Sequence, residues 1–168
     1  MQEMQIYGVS FDLVGKQPIV LLKTADGNKF LPIWIGHAEA AAILMKLQSQ
    51  SAPRPMTHDL VNDMLQQLGA QILRITVTEL RENTFFAQIV VAQDGHELEV
   101  DSRPSDAIAL AIRAEAPIFA ADQVIEESAI EFEGDEVDEE QLEAEVSRFR
   151  NFLDEVTPDQ FAVEDEDE

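Results

Sequence analysis

Side chains able to do chemistry gather at three points along these 168 residues. His37 and Glu39 stand where an apolar run gives way to an alanine-rich stretch. Arg54, Thr57, His58 and Asp59 open the next amphipathic segment. Asp101, Arg103, Ser105 and Asp106 surround Pro104, a residue suited to the first turn of a helix. Each cluster falls where a helix is expected to begin, and junctions of this kind are where sites are usually built. Carboxylates hold hard cations such as Mg2+ or Mn2+ through oxygen. Such an ion polarises a phosphate and turns bound water into hydroxide. An arginine takes phosphate oxygens bidentately, and a histidine carries protons near neutral pH. The set fits phosphodiester hydrolysis. Plainer readings stand beside it. Acids near helix starts, Asp59 beside His58 included, favour the helix dipole. Arg103 and Asp106 suit a salt bridge that pins a loop. Glu97, Glu99 and Asp101 read as a solvated strand face, and His96 as an exposed residue after a turn.

The elements that must position these clusters follow from periodicity and turn residues. Residues 6–14, 18–24 and 30–35 read as strands, with Asp26-Gly27 as a hairpin turn. Residues 38–48 read as a helix after Gly36. Two prolines mark 50–55 as a loop. Thr57 is expected to N-cap a helix over 58–68, with Leu60, Met64, Leu65 and Leu68 on one face and Gly69 as its stop. Residues 71–80 alternate, so Leu73, Ile75 and Val77 should oppose Ile72, Arg74, Thr76 and Thr78. Strands over 84–92 and 96–101 flank Asp94-Gly95. A helix through 104–114, a strand at 117–120 and a short helix at 122–129 follow.

Strand, strand, Asp-Gly turn, strand and helix thus occur twice. The expected fold is α+β, a mixed or antiparallel sheet from two β-β-β-α pseudo-repeats with an extra helix between them. With a one-residue gap the repeat sets Glu39 on Asp106. The two carboxylates either serve their helix dipoles or face each other across a pseudo-twofold axis as a functional pair.

Composition narrows the classes. The absence of cysteine excludes a disulfide framework, a thiolate zinc site and a cysteine nucleophile, and it fits a reducing compartment. No glycine-rich phosphate loop, GxSxG elbow or HExxH motif occurs, which argues against a nucleotide-binding fold or a serine hydrolase. The opening MQEMQIYGVS has neither a basic region nor an apolar run, so no secretory leader is expected in it. The longest apolar run, residues 40–45, is far short of the roughly 20 residues of a membrane span. A cytoplasmic protein is expected.

The net charge of −23 is unevenly spread. Residues 1–125 hold nine Lys and Arg against fifteen Asp and Glu, a net of −6; residues 126–168 hold two against nineteen, a net of −17. Residues 130–140 read as a charged linker. Beyond it Leu142, Val146, Phe149, Leu153 and Val156 recur as the seam of an amphipathic helix. The expected division is a domain over 1–130 and an acidic linker, helix and disordered end over 131–168.

Four segments carry a resemblance: Leu31-Pro-Ile-Trp-Ile-Gly36 with Glu39-Ala, Arg54-Pro-Met-Thr-His-Asp-Leu60, Thr84-Phe-Phe-Ala87, and Asp101-Ser-Arg-Pro-Ser-Asp-Ala-Ile-Ala-Leu110. Over roughly residues 4–130 the chain resembles the bifunctional nuclease domain family. The resemblance implies an α+β fold and a nuclease domain, described in some members as acting on both RNA and DNA. The resemblance itself assigns no catalytic set; at the positions that match its motifs we expect Asp101 and Asp106 as metal or base carboxylates, Arg103 as a phosphate contact and His58 as a proton carrier. Glu39 and Asp59 would join the metal ligands, and Arg54, Thr57 and Ser105 would bind substrate.

The leading expectation is therefore a nuclease assisted by Mg2+ or Mn2+, acting on RNA, DNA or both. One feature opposes it: Lys16, Lys23, Lys29, Arg74, Arg81 and Arg113 are scattered, with no aromatic interleaving that would mark a long polyanion groove. The alternative is a non-enzymatic interaction or regulatory module working through the acidic helix, docked in a partner's apolar groove, paired with its twin in a homo-oligomer, or folded back over a basic groove as a nucleic-acid mimic and autoinhibitor. A small-molecule site between the repeats has no feature that specifies a ligand. A homo-oligomer is expected, because a mixed sheet with exposed edges is often completed by a second copy.

Overall fold

Two three-stranded meanders, each closed by a helix, build the wings of one sheet. A computed structural model describes residues 1–12, 16–131, 140 and 144. The chain divides into two units, Met1–Phe132 and Glu133–Glu168. The seam from Leu142 to Val156 and most of the charged linker lie outside the described residues.

The first wing is β1 (Gln2–Asp12), β2 (Gln17–Thr24) and β3 (Lys29–Trp34), followed by α1 (His37–Leu47). After α2 (Thr57–Gln67) the second wing repeats the pattern with β4 (Ala70–Arg81), β5 (Thr84–Gln93), β6 (His96–Ser102) and α3 (Pro104–Ala114). Strand β7 (Ile118–Ala120), helix α4 (Asp122–Ser128) and strand β8 (Ile130–Glu131) complete the described part. The eight strands run β6-β5-β4-β7-β1-β2-β3-β8. Strand β7 joins the wings, antiparallel to β1 and parallel to β4, so the sheet is mixed. This is the α+β fold expected, with two β-β-β-α units and a helix between them.

The helix α3 is held closest to the sheet. Its small residues Ala107, Ala109 and Ala111 are fully buried, which lets its backbone approach Ile75, Val77 and Ala87. Ile43 of α1 and Ile108 of α3 fill the layer between helices and strands. Helices α1 and α2 both pack against α3, so the starts of all three can come together.

Three local expectations are corrected. Strict alternation would put Ile72 and Ile75 on opposite faces, yet both are buried in the core. The pairing slips between Ile72 and Arg74, so Leu73 is an extra residue that resets the parity. Asp94-Gly95 is the tight turn expected, with both residues at positive φ (50° and 78°). Asp26-Gly27 is not. Gly27 has no positive φ, and a Cβ there would come within 2.8 Å of Thr24 Oγ1, so close approach is what requires glycine. Thr57 is the first helical residue of α2 rather than its cap; the cap is Met56 in an extended conformation.

Candidate active site

The starts of α1, α2 and α3 share a chemical pattern. The residues before them, Gly36, Met56 and Arg103, are extended and provide no side-chain cap. The third helical position of each carries an acid: Glu39, Asp59 and Asp106. An acid there complements the dipole and can accept one of the unpaired backbone N–H groups. Asp59 accepts the Met56 N–H at Oδ2, at 3.0 Å. That bond, together with Arg113, lowers the Asp59 pKa below its ordinary value. Glu39 is lowered in the same way, first by its own backbone N–H and then by Arg103. Gly36 leaves room for this: a Cβ there would collide with Glu39 Oε2.

Arg103 ties two of these acids together. Its Nε donates to Asp106 Oδ2 at 2.9 Å and its Nη2 to Glu39 Oε1 at 2.7 Å. Both acids raise the pKa of the guanidinium, first through the hydrogen bond to Glu39 and then through the bond to Asp106 and its charge. The carboxylates equated by the internal repeat therefore meet on one cation. The other oxygen of Asp106, Oδ1, lies 2.8 Å from His58 Nε2. Glu39, Arg103, Asp106 and His58 thus form one chain of contacts across the starts of three helices. Arg103 is its exposed member, with 65% of its side chain accessible against 16% for Glu39 and 12% for His58.

A histidine held at one ring nitrogen by a carboxylate is oriented for proton transfer at the other. Among the described residues nothing hydrogen-bonds His58 Nδ1. An exposed guanidinium beside it can take phosphate oxygens. Glu39 Oε1 and Asp106 Oδ2 both approach the same Nη2, at 2.7 and 2.8 Å, so they are close neighbours.

The remaining expected residues sit elsewhere. Asp59 is turned to Arg113, whose Nε donates to Oδ1 at 2.7 Å. Asp101 lies on β6 opposite Gln88. Strand alternation sets it with Glu97 and Glu99, away from the face that carries Val100 and the helices, and it forms no ion pair with another described residue. Arg54 is exposed in the loop before α2, Thr57 is exposed at its first turn, and Ser105 is buried in the first turn of α3. Among the described residues no three His, Asp or Glu side chains form a ready-made metal cage.

Arg113 is the residue that sequence reading missed. In sequence it is one of the scattered bases, yet only 6% of its side chain is exposed. Besides Asp59 it donates to Ala109 O at 2.8 Å and Ala42 O at 3.0 Å, which clasps α1, α2 and α3 together. Its signal was positional. It follows Asp106 by seven residues, two helical turns, so both lie on the face of α3 that meets α2.

Comparison with known proteins gives the family. The bifunctional nuclease domain profile matches residues 20–133. An uncharacterized protein of Mycobacterium tuberculosis (strain ATCC 25618 / H37Rv) is 38% identical over 165 residues, covering 96% of this chain and 98% of that protein. Bifunctional nuclease 1 of Arabidopsis thaliana is 30% identical over 105 residues, 60% of this chain and 32% of the plant protein. Bifunctional nuclease 1 of Oryza sativa subsp. japonica is 30% identical over 103 residues, 59% of this chain and 31% of the plant protein. The chain therefore spans about a third of each plant relative. No helix of the described residues is long and apolar enough to cross a membrane. The match over most of the folded unit places this chain in the bifunctional nuclease domain family.

Proposed function

We propose that this protein hydrolyses phosphodiester bonds of RNA, DNA or both, with His58 and Asp106 as its proton-transfer pair and Arg103 as its phosphate contact. The observation that supports this best is the position of Asp106, held by His58 on one oxygen and by Arg103 on the other. Arg103 positions the phosphate as its guanidinium turns from Glu39 toward substrate. His58, oriented through Nε2, accepts or donates the proton at Nδ1. Arg54, exposed in the loop before α2, and Thr57, exposed at its first turn, would extend the contact to a neighbouring nucleotide, with Ser105 buried in the first turn of α3.

A divalent cation is part of the proposal. The donor chemistry fits Mg2+ or Mn2+, which bind through one or two carboxylates plus substrate phosphate. Glu39 and Asp106 are the pair that would hold it, in place of the guanidinium. Such an ion would supply Lewis-acid activation of the phosphate and a more acidic water. Asp59 is engaged by Arg113 and Asp101 is remote, so the reading rests on the other two acids. A cytoplasmic location, in keeping with the cysteine-free composition, belongs to the same proposal.

The test is cleavage of single-stranded RNA and DNA by the full chain, with and without EDTA and added Mn2+. Asp106→Asn and His58→Ala should each lower the rate by about 10²–10⁴-fold. Wild-type rates in both Asp106→Asn and Arg103→Ala would remove these assignments.

A second reading is favoured by the charge split of −6 and −17. The Mycobacterium relative aligns along nearly its whole length, whereas the plant nucleases match only about 105 residues. Residues 131–168 then act as an anionic regulatory segment. Deleting them should raise nucleic-acid affinity most at low salt, because the effect is electrostatic. Equal affinity of full-length and truncated proteins at low salt would dismiss it.

A further inference from the structure

We propose that the outer face of α2, with the neighbouring face of β6, is the surface on which a second copy of this chain docks. Helix α2 has no buried residue. Met56, Leu60, Met64 and Leu68 follow one another at four-residue spacing, so they form a single stripe. All four are exposed, Leu68 to 66%. Leu98 and Val100 of β6 are also about half exposed. They pair with Val91 and Ile89, two core residues, and so lie on the helical face of the sheet.

Contacts at both ends of α2 bring the two patches toward each other. At one end of α2, Gln93 Nε2, beside the β5–β6 turn, donates to Leu68 O at 3.0 Å. At the other, His58 contacts Asp106, four residues beyond β6. The ends of α2 are thus tied to the segments that flank β6, and the exposed apolar residues of helix and strand are taken as one surface.

Area and charge point to a second copy. Each of the six exposed side chains offers about 90 Å², so the surface is on the order of 540 Å² per copy and about 1,100 Å² for a pair, just above the roughly 1,000 Å² that a specific interface should clear. A stripe with four-residue spacing packs against its own image about a twofold axis, ridge into groove. The chain carries a net charge of −23, so two copies repel wherever acids face each other. The stripe itself holds no acid, and with no Lys or Arg it offers nothing to a polyanion. Edge-to-edge pairing of β6 is the less favourable contact, because it would set Glu97, Glu99 and Asp101 against their own copies.

The test is the solution mass of the full chain by sedimentation, from low to high micromolar concentration. The expected result is a wild-type particle of twice 18.8 kDa. Met64→Glu and Leu98→Glu, each placing a charge in the apolar contact, should weaken the pair at least about 100-fold and give the monomer mass. Both sites are exposed, so the circular dichroism of the variants should match wild type. Glu99→Lys, on the other face of β6, should leave the dimer intact. A wild-type protein that stays monomeric overturns the proposal. So does an oligomer untouched by both apolar variants, or one that Glu99→Lys alone dissociates. Mass is read without substrate, so this result and the cleavage assay fail independently.

Discussion

Replacing Arg113 with methionine isolates what the three-helix clasp contributes. Methionine keeps most of the apolar stem and removes the guanidinium. The lost bond to Asp59 is charge-assisted, roughly 1.5–3 kcal/mol, and the two bonds to carbonyls are worth roughly 0.5–1.5 kcal/mol each. Ala42 O and Ala109 O keep their partners within the helices, so neither is orphaned. Asp59 is 38% exposed and can be resolvated, which lowers its share. The expected net cost is about 2–4 kcal/mol. Urea unfolding followed by circular dichroism should show the midpoint falling by about 1–2 M, given an m-value near 2 kcal/mol/M. Asp59→Asn should cost less, because the amide oxygen still accepts from Met56. The double variant should fall short of the sum by about 1 kcal/mol or more, since both changes remove one interaction. Additivity within about 0.3 kcal/mol, or Arg113→Met within about 0.5 kcal/mol of wild type, would refute the reasoning. With no residue of α2 buried, loosening the clasp should also part His58 from Asp106, so cleavage should fall at urea concentrations too low to unfold the protein.

Acid should destabilise the fold through Glu39 and Asp59. Their folded pKa values lie below the ordinary 4.5 and 3.8, so their stabilisation is fully present above those values and is lost as pH falls through the lowered ones. Urea midpoints between pH 6 and pH 3 should drop less steeply in Glu39→Gln/Asp59→Asn; an equally steep drop would show that other groups govern acid unfolding. Gly36→Ala suits the backbone, at φ −75°, yet its Cβ collides with Glu39 Oε2. Its cost of about 1 kcal/mol should vanish in a Glu39→Ala background, and a cost unchanged there would place the strain elsewhere. With Arg54 and Arg103 as the phosphate contacts, log K for single strands against log salt should have a slope of about −1.4, reduced by about 0.7 in Arg103→Ala. A slope of −4 or steeper would mean a long cationic groove.

The pieces legible in the sequence were those fixed by neighbours. Periodicity placed the two meanders and their helices, and Asp94-Gly95 announced its turn, because each depends on a few adjacent residues. The repeat also matched Glu39 with Asp106, and the structure brings both to Arg103. Features set by distant partners were not legible. Whether Leu73 bulges depends on what β5 offers opposite it. Whether Arg113 is a surface base or a buried clasp depends on where α1 and α2 cross α3. Thr57 has the chemistry of a cap, but Asp59 already accepts the free N–H one residue earlier, and the helix starts there. Asp101 and Asp106 share one motif, yet strand alternation carries the first to the other face while the helix turns the second inward.

Charge in the cluster bears on how cleavage would be driven. Glu39 and Asp106 set two negative charges against one guanidinium, so with His58 neutral the four side chains sum to −1. A phosphodiester brings a further negative charge into a fold that is already acidic. Arg103 cannot serve both carboxylates and the phosphate with the same donors, so releasing it to substrate leaves the acids uncompensated. Two positive charges can take its place: a proton on His58, or a divalent cation between Glu39 and Asp106. They predict different behaviour. If the proton compensates, cleavage survives EDTA and Glu39→Gln is better tolerated than Asp106→Asn. If the cation compensates, EDTA abolishes cleavage, Mn2+ restores it, and Glu39→Gln is as damaging as Asp106→Asn. Cleavage that resists EDTA and is indifferent to both substitutions would place the chemistry outside this cluster.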